Sequence, residues 1–433
     1  MRRLTAATLL LAMAAFPPAA AALEAGAASV VIALPVGTPL AGYGGFPRRA
    51  WVPDLLGWRP YAFWFRPSTG VHDPIRVRAL VLASGATRIL WLAVDTVGVD
   101  PALVAELRQR LAARGVAPIM VLSASHTHSG PGAYSESAFF GFLALDRFVP
   151  EVRDRILDGM EAAAREAERR REPARASTGL ATVPGIGRSR LGQPLDPELG
   201  VLKITGARGR PVALVWSYAV HGTALGRGNF LLSGDLMAEA SARLERETGT
   251  PALFVNGAAG DVSPLRRGWG GVEGAGAALA DGALALWRGM GEGEEVPLAS
   301  QAIRVRLPKP ALSLHNCLGG WAPRFARIGL GSALPPSSEL LALRIGDGAW
   351  VTVPGELQTR LGLEIKKAGR RHFAQVFVAG YSNDYLGYFL TREDYAKPSY
   401  IACGSLYGER GGEILRDAAT ELLERLAAPV SRS

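Results

Sequence analysis

The sequence predicts an α/β fold of mixed β-sheets flanked by helices, in one large domain. Short apolar runs rich in β-branched residues alternate with amphipathic helical segments along most of the chain. Two such runs, 76–83 and 87–94, are separated only by Ser84-Gly85-Ala86, which indicates an antiparallel hairpin rather than a crossover. No internal repeat or low-complexity linker divides the 433 residues. Antiparallel pairs therefore accompany strand–helix alternation, as expected of mixed sheets.

The first half of the chain carries the clearest local signals. Helix 101–114 follows Asp100, a good N-cap, and has Pro101 in its first turn. A glycine-rich loop spans 37–45, and an aromatic stretch with neither helical nor strand period spans 51–65. The elements predicted here are strands at 28–34, 76–83, 87–94 and 117–122, and helices at 101–114 and 150–172.

The second half continues the alternation. Strands are predicted at 176–183, 199–204, 212–218, 252–255, 301–307, 340–345, 350–353 and 375–378. Helices are predicted at 236–247, 275–290, 356–368 and 413–427.

The N-terminus has the pattern of a secretory signal. A basic Met1-Arg2-Arg3 precedes the apolar run 4–16, and small residues close the segment near Ala22. We therefore predict a cleaved signal peptide at 1–22 and an exported, periplasmic or secreted domain at 23–433. Export permits a disulfide between Cys317 and Cys403, but the sequence leaves open whether they pair or remain two thiols.

The net charge of +9 arises mainly from arginine and not from a lysine-rich patch. The densest basic run, 165–175, interleaves glutamates along a helical pattern, as a solvated helix face does. We therefore predict no nucleic-acid partner. Peripheral contact with a membrane surface, through attraction to anionic lipid head groups, stays open, and so does the oligomeric state.

Histidines follow two of the predicted strands. Ser125-His126-Thr127-His128 comes after strand 117–122, and His221 comes after strand 212–218, each leading into a glycine turn. Neutral imidazole is the commonest zinc ligand, and a strand end presents side chains on a rigid scaffold. The alternative is a pair of surface turns that happen to carry histidines.

These motifs together resemble the neutral ceramidase family. The order of the motifs is that of the family, and the resemblance spans about residues 25 to 410. The matching segments are Ser-His-Thr-His-Ser-Gly-Pro-Gly at 125–132, Ala-Val-His-Gly-Thr at 219–223, Ser-Gly-Asp at 233–235, Gly-Asp-Val-Ser-Pro at 260–264, Pro-Gly-Glu at 354–356, and Ser-Asn at 382–383 followed by Tyr385 and Tyr388.

The resemblance implies a zinc-dependent amidohydrolase that uses a zinc-activated water to cleave the N-acyl amide bond of ceramide-like lipids, releasing a fatty acid and a sphingoid base. The Zn²⁺ ligands that it implies are His126, His221, Glu356 and Tyr388, with Tyr385 as the alternative to Tyr388. Two imidazoles, a carboxylate and a phenolate suit this ion.

His128, two residues beyond the ligand His126, would hydrogen-bond the water or the oxyanion. The resemblance adds Arg188 and Tyr400 as groups near the reacting carbonyl. Ser263 is either a nucleophile or a contact for a substrate hydroxyl. We favour the contact, because no histidine base can be assigned to Ser263 from the sequence.

The chain departs from the family pattern at Leu265, where the family usually has Asn, and at Leu357, where it favours Phe. It ends at Ser433, so we expect no C-terminal immunoglobulin-like domain. Two alternatives therefore stay open: hydrolysis of another N-acyl amide, such as an acyl-amino-acid lipid or a small amide, or a non-catalytic exported lipid-binding homologue. The stretch 51–65 either packs on the core or walls a lipid cleft, for which Phe139, Phe140 and Phe142 are the next candidates.

Overall fold

The computed structural model describes residues 22–116 and 118–428. The predicted signal peptide, apart from Ala22, lies outside the described residues. No helix in the described ranges is long and apolar enough to span a membrane.

The strands, in chain order, are β1 (Glu24–Val31), β2 (Gly70–Val71), β3 (Arg76–Ser84), β4 (Thr87–Val94), β5 (Ile119–Ala124), β6 (Glu172–Thr182), β7 (Gly187–Ser189), β8 (Glu198–Gly206), β9 (Pro211–Tyr218), β10 (Leu231–Leu232), β11 (Ala252–Asn256), β12 (Val262–Pro264), β13 (Leu298–Arg306), β14 (Ala311–Ser313), β15 (Arg327–Gly329), β16 (Ser337–Ile345), β17 (Gly348–Thr352), β18 (Glu356–Leu357), β19 (Gln375–Ala379) and β20 (Tyr388–Phe389). The α-helices are α1 (Pro101–Ala112), α2 (Ala138–Phe140), α3 (Pro150–Arg169), α4 (Asp235–Thr248), α5 (Trp269–Gly289), α6 (Leu314–Cys317), α7 (Thr359–Gly369), α8 (Arg392–Tyr395), α9 (Tyr400–Cys403) and α10 (Gly411–Ala427).

Two mixed sheets form the centre of the molecule. The larger has the order β11-β9-β8-β6-β1-β3-β4-β5, with parallel pairs only at its two edges, β9 with β11 and β4 with β5. The smaller has the order β13-β16-β17-β19, with one parallel pair, β17 with β19. The prediction of mixed sheets flanked by helices is confirmed.

The two sheets pack face to face, and helices cover their outer faces. Between them lie Trp91, Trp350 and Phe377, with ring centroids 4.9 Å apart for the first two and 4.2 Å for the last two. Helices α1, α3, α4 and α5 contribute to the core on the outer face of the large sheet, and α7 and α10 to that of the small sheet. The result is a four-layered α-β-β-α arrangement, in which each sheet buries both faces.

The edges of the large sheet come together through polar contacts. Asn256, at the end of β11, donates from its side-chain amide to the carbonyl of Ser125 (3.1 Å), just past β5. Between them, the segment after β19 bonds to both edges: the backbone N–H of Gly380 donates to Asn256 O (2.8 Å), and that of Ala124 to Tyr381 O (3.0 Å). The carboxyl ends of β5, β9, β11 and β19 therefore meet at one place, where α/β folds bind their ligands.

Most predicted elements are confirmed, and the differences have physical causes. Asp100 caps α1 through Leu103 N–H at 2.8 Å, as predicted. The long helix ends at Arg169, earlier than predicted, because Glu172 already begins β6. The predicted helix 356–368 begins only at Thr359, because Glu356 and Leu357 pair with β20. Cys317 and Cys403 form a disulfide, which settles the alternative that the sequence left open.

Candidate metal centre and active site

The two histidine segments meet at the carboxyl ends of β5 and β9. His126 and His221 are both fully buried, and their rings lie 4.5 Å apart between centroids. His126 has a φ of 64°, a conformation that non-glycine residues rarely adopt. This bend carries the chain out of β5 and turns the imidazole inward. Such strain is found mainly at functional sites.

The nitrogen atoms of these histidines converge with a carboxylate. Glu356 Oε2 lies 2.8 Å from His221 Nε2 and 3.4 Å from His126 Nε2. Both Glu356 Oε2 and His221 Nε2 are buried without a well-formed hydrogen bond. His126 Nδ1 donates to the carbonyl of Val97 (2.6 Å), so its Nε2 carries the lone pair that a cation would take. Buried donor atoms that face one another without hydrogen bonds fit a metal ion.

His128 completes a group of three histidines whose ligand atoms all lie within 4.8 Å of one another. Its Nε2 is 3.2 Å from His126 Nε2, and its ring packs edge-on against Tyr43 with centroids 4.9 Å apart. Burial lowers the pKa of His128 well below its usual value, and burial with the nearby Arg190 charge lowers the pKa of His221 to about 3. Both imidazoles are therefore neutral at pH 7 and able to coordinate a metal or accept a proton.

Three tyrosines surround the carboxylate. Tyr385 donates its hydroxyl to Glu356 Oε1 (2.5 Å), while the pairing of β18 with β20 puts Tyr388 directly opposite Glu356. The structure thus brings both candidate phenols to the cluster. Tyr381, which sequence reasoning missed, stacks on His126 with centroids 4.1 Å apart and has a buried hydroxyl without a hydrogen bond. Its position after a strand and beside the Ser-Asn motif was the only available signal.

The structure brings Arg190, and not the predicted Arg188, to the cluster. Arg188 lies in the short strand β7 with an exposed side chain, whereas Arg190 Nε donates to Ser263 Oγ (2.7 Å) and Nη1 to the Tyr388 hydroxyl (3.3 Å). The Arg190 guanidinium also lies 5.5 Å from the Tyr400 ring centroid. Strand β7 ends at Ser189, so the alternation that would keep 188 and 190 on one face is broken there.

Ser263 and Tyr400 both line the pocket. The hydrogen bond described for the Ser263 hydroxyl comes from Arg190 and not from an imidazole. This agrees with the preference for Ser263 as a substrate contact, which stays a prediction.

Several motif residues hold the ligand segments and do not themselves face the cluster. Asp235 accepts from the backbone N–H groups of Ala224 (3.3 Å) and Leu225 (3.1 Å), just after His221. Asp261 Oδ1 accepts from Thr359 N and from its hydroxyl (both 2.8 Å), just after Glu356. These carboxylates fix the loops on which the donor side chains stand.

An apolar cavity of about 580 Å³ leads to this cluster. Its wall includes Tyr43, Phe139, Phe140 and Leu143, and its floor His128, Glu356 and Arg190. None of the residues 51–65 lines the cavity, so this stretch does not form its wall. The stretch is not simply core either, because Trp51 is 87% exposed and Trp58 is 80% exposed, although Phe65 is fully buried. Phe139 and Phe140, the alternative candidates, line the cavity instead.

Imidazole and carboxylate groups that can bind a metal lie at the floor of an apolar pocket. Such a site is typical of the general class of enzymes that act on lipophilic molecules. Comparison with known proteins gives the family. Residues 56–276 match the model of neutral/alkaline non-lysosomal ceramidases, N-terminal part, and the chain belongs to that family.

Individual relatives agree with this assignment. The neutral ceramidase of Pseudomonas aeruginosa is 26% identical over 87% of this chain and 71% of its own length. Neutral ceramidase B of Dictyostelium discoideum is 30% identical over 50% of this chain and 34% of its own length. The crystal structure of the Pseudomonas enzyme superposes with a TM-score of 0.80 at 22% identity, covering 95% of this chain and 76% of that one, which supports the fold.

Proposed function

We propose that this protein hydrolyses the N-acyl amide bond of ceramide-like lipids, releasing a fatty acid and a sphingoid base, with Zn²⁺ held by His126, His221, Glu356 and Tyr388. The observation that carries the proposal is the convergence of His221 Nε2 and His126 Nε2 on Glu356 Oε2, at 2.8 and 3.4 Å, without well-formed hydrogen bonds at His221 Nε2 or Glu356 Oε2. The names of the relatives supply the substrate class.

The donor set suits zinc. Imidazole nitrogen and carboxylate oxygen are its usual ligands, and Tyr388 adds a phenol oxygen. Burial and the Glu356 charge raise the pKa of Tyr388 well above its usual value, and the nearby Arg190 charge opposes this rise. When bound, zinc would lower the pKa of a water molecule to about 7 and polarise an amide carbonyl.

The side chains around the donors supply the remaining chemistry. His128 is neutral and buried, so its imidazole can take a proton from the attacking water and pass it to the leaving amine. The Arg190 guanidinium and the Tyr400 hydroxyl lie on the pocket side of the cluster and would stabilise negative charge on the carbonyl oxygen. Ser263 would orient a substrate hydroxyl.

The cavity accounts for a lipid substrate. Its aromatic and aliphatic wall can remove part of an alkyl chain from water, worth roughly 0.8 kcal/mol for each CH₂ buried. An exported location, as the N-terminal sequence predicts, would expose the protein to lipids outside the cytoplasm.

The experiment separates ligands from the proton-transfer residue. Purified His126→Ala, His221→Ala and His128→Ala variants are assayed for zinc by inductively coupled plasma mass spectrometry and for fatty-acid release from an N-acyl-sphingosine. We expect the first two to lose zinc and turnover, and His128→Ala to keep stoichiometric zinc but lose turnover.

Loss of zinc in all three variants would make His128 a ligand and contradict the proposed donor set. Full turnover by any variant that lacks zinc would contradict metal dependence itself.

A further inference from the structure

We propose that the protein docks on the surface of an anionic lipid bilayer through two exposed aromatic lips at the mouth of the pocket. The first lip is the segment 46–66, and the second lip is the segment 314–329. The proposal goes beyond the chemistry of the site and does not depend on which amide is cleaved.

The exposed apolar side chains are concentrated on these lips. Trp51 and Trp58 of the first lip are 87% and 80% exposed, and Trp321 and Phe325 of the second lip are 93% and 86% exposed. Within the described ranges, every exposed aromatic side chain lies on a lip or beside the pocket: Phe46, Trp51, Trp58, Phe142, Trp321, Phe325 and Tyr400. An apolar surface this concentrated usually marks a contact with a membrane or a partner.

The first lip is joined to one wall of the pocket. Arg49 Nε donates to the carbonyl of Gly44 (2.5 Å), and Gly44 lines the cavity. On the same side, Trp64 packs edge-on against Phe142 with ring centroids 5.3 Å apart, and the next residue, Leu143, is both part of the cavity wall and 42% exposed.

The second lip is joined to a different wall. Its strand β15 pairs with β14, which contains the cavity-lining Leu312. Its Cys317 is disulfide-bonded to Cys403, which also lines the cavity. The two lips are therefore anchored to separate parts of the rim, and a surface that touches both covers the mouth.

The charges on the lips favour anionic head groups. The first lip presents Arg66 as an exposed arginine and Arg49 and Arg59 as half-buried ones, whereas Arg48 is buried. Its one carboxylate, Asp54, accepts from the backbone N–H of Arg59 (2.6 Å). The second lip contains Arg324 and Arg327 and no carboxylate. Exposed indoles prefer the depth of lipid head groups, and arginines beside them are attracted to the negative charge of an anionic bilayer.

A second copy of the chain fits these lips less well. A face-to-face dimer would bring net positive lips against each other, and like charges at an interface oppose association. A bilayer offers both an apolar layer and complementary charge to the two lips at once.

The test measures vesicle binding without any amide lipid. The purified protein is sedimented with phosphatidylcholine vesicles that contain phosphatidylglycerol, and with phosphatidylcholine alone. We expect binding that is stronger on the anionic vesicles. The pairs Trp51→Ala/Trp58→Ala and Trp321→Ala/Phe325→Ala should each lower the partition coefficient about tenfold. The matched control Val31→Ala/Val71→Ala removes exposed apolar groups from β1 and β2 and should leave binding unchanged.

A second pair tests the charge. Arg324→Gln/Arg327→Gln should reduce the preference for anionic vesicles, whereas Lys367→Gln/Arg371→Gln, in the last turn of α7 and just after it, should not. Circular dichroism confirms that each variant is folded.

Equal vesicle binding by the parent protein and both lip variants would overturn the proposal. So would the absence of vesicle binding, or a dimer in analytical ultracentrifugation that the lip substitutions abolish. The vesicles contain no substrate, so the two proposals can fail separately. A protein that sediments with vesicles but hydrolyses no amide would refute the proposed function and support the docking surface. A protein that hydrolyses the amide but does not bind vesicles would refute the docking surface and support the proposed function.

Discussion

Replacing Arg190 with Gln is expected to remove most of the catalytic rate without unfolding the protein. The guanidinium is held by Ser263 Oγ at 2.7 Å and the Tyr388 hydroxyl at 3.3 Å, and it faces the pocket. A positive charge about 5 Å from a developing oxyanion, at an effective dielectric constant of about 20, contributes about 3 kcal/mol. This corresponds to a loss of about a hundredfold in kcat.

The control for this variant stands two residues away in the sequence. Arg188→Gln removes the same charge from an exposed position on β7 and should change kcat less than about twofold. The assay is fatty-acid release from an N-acyl-sphingosine in detergent micelles, with kcat and KM determined separately and Tm measured for each variant. Because the charge acts on the transition state, kcat should fall much more than KM rises. A larger loss in Arg188→Gln, or near-normal kcat in Arg190→Gln, would refute the placement of Arg190 beside the reacting carbonyl.

Three further expectations follow from the pocket. Ser263→Ala should still hydrolyse amides that lack the sphingoid hydroxyl, and an acyl-Ser263 adduct trapped by mass spectrometry would contradict this. Burial raises the pKa of Asp384 from 3.8 to about 7, so between about pH 4 and 7 the folded state holds a proton that the unfolded chain releases. The free energy of unfolding therefore falls as pH rises through this range. In urea unfolding, Asp384→Asn should remove up to about 4 kcal/mol of this fall, and an unchanged pH slope would contradict the expectation. Phe140→Ala should lower kcat/KM for long-chain amides about tenfold more than for a short-chain amide, whereas equal losses would assign Phe140 to the core.

Local signals predicted the elements that depend only on nearby residues. The Asp100 cap, the turn at 84–86 and the period of the helices each act within a few residues, so α1, the β3–β4 hairpin and α4 lie close to their predicted positions. The two-residue strand β18 was not predictable, because it exists only through its pairing with β20. Sequence spacing carries no information about such a distant partner.

In the candidate site, too, some residues could be predicted from local motifs, whereas others are placed only by the fold. Motifs could name His126, His221 and Glu356. The two histidines meet because Asn256 bonds to Ser125 and Val220, the residues that precede them, and Glu356 is placed by the pairing of β18 with β20. Arg190 was missed because β7 ends at Ser189 and the strand alternation no longer applies. The exposure of Trp51 and Trp58 could not be foreseen, since aromatic composition alone does not distinguish a core loop from a surface lip.

The most direct test of the proposed chemistry is product analysis on one preparation before and after metal removal. The protein is stripped with a chelator, its zinc content is measured, and an N-acyl-sphingosine is incubated with the stripped and the zinc-reloaded forms. Mass spectrometry then quantifies fatty acid and sphingoid base. We expect one zinc ion per chain in the reloaded form, equal molar release of both products by that form, and none by the stripped form. Equal hydrolysis by both forms, or stoichiometric zinc without cleavage of the amide, would contradict it.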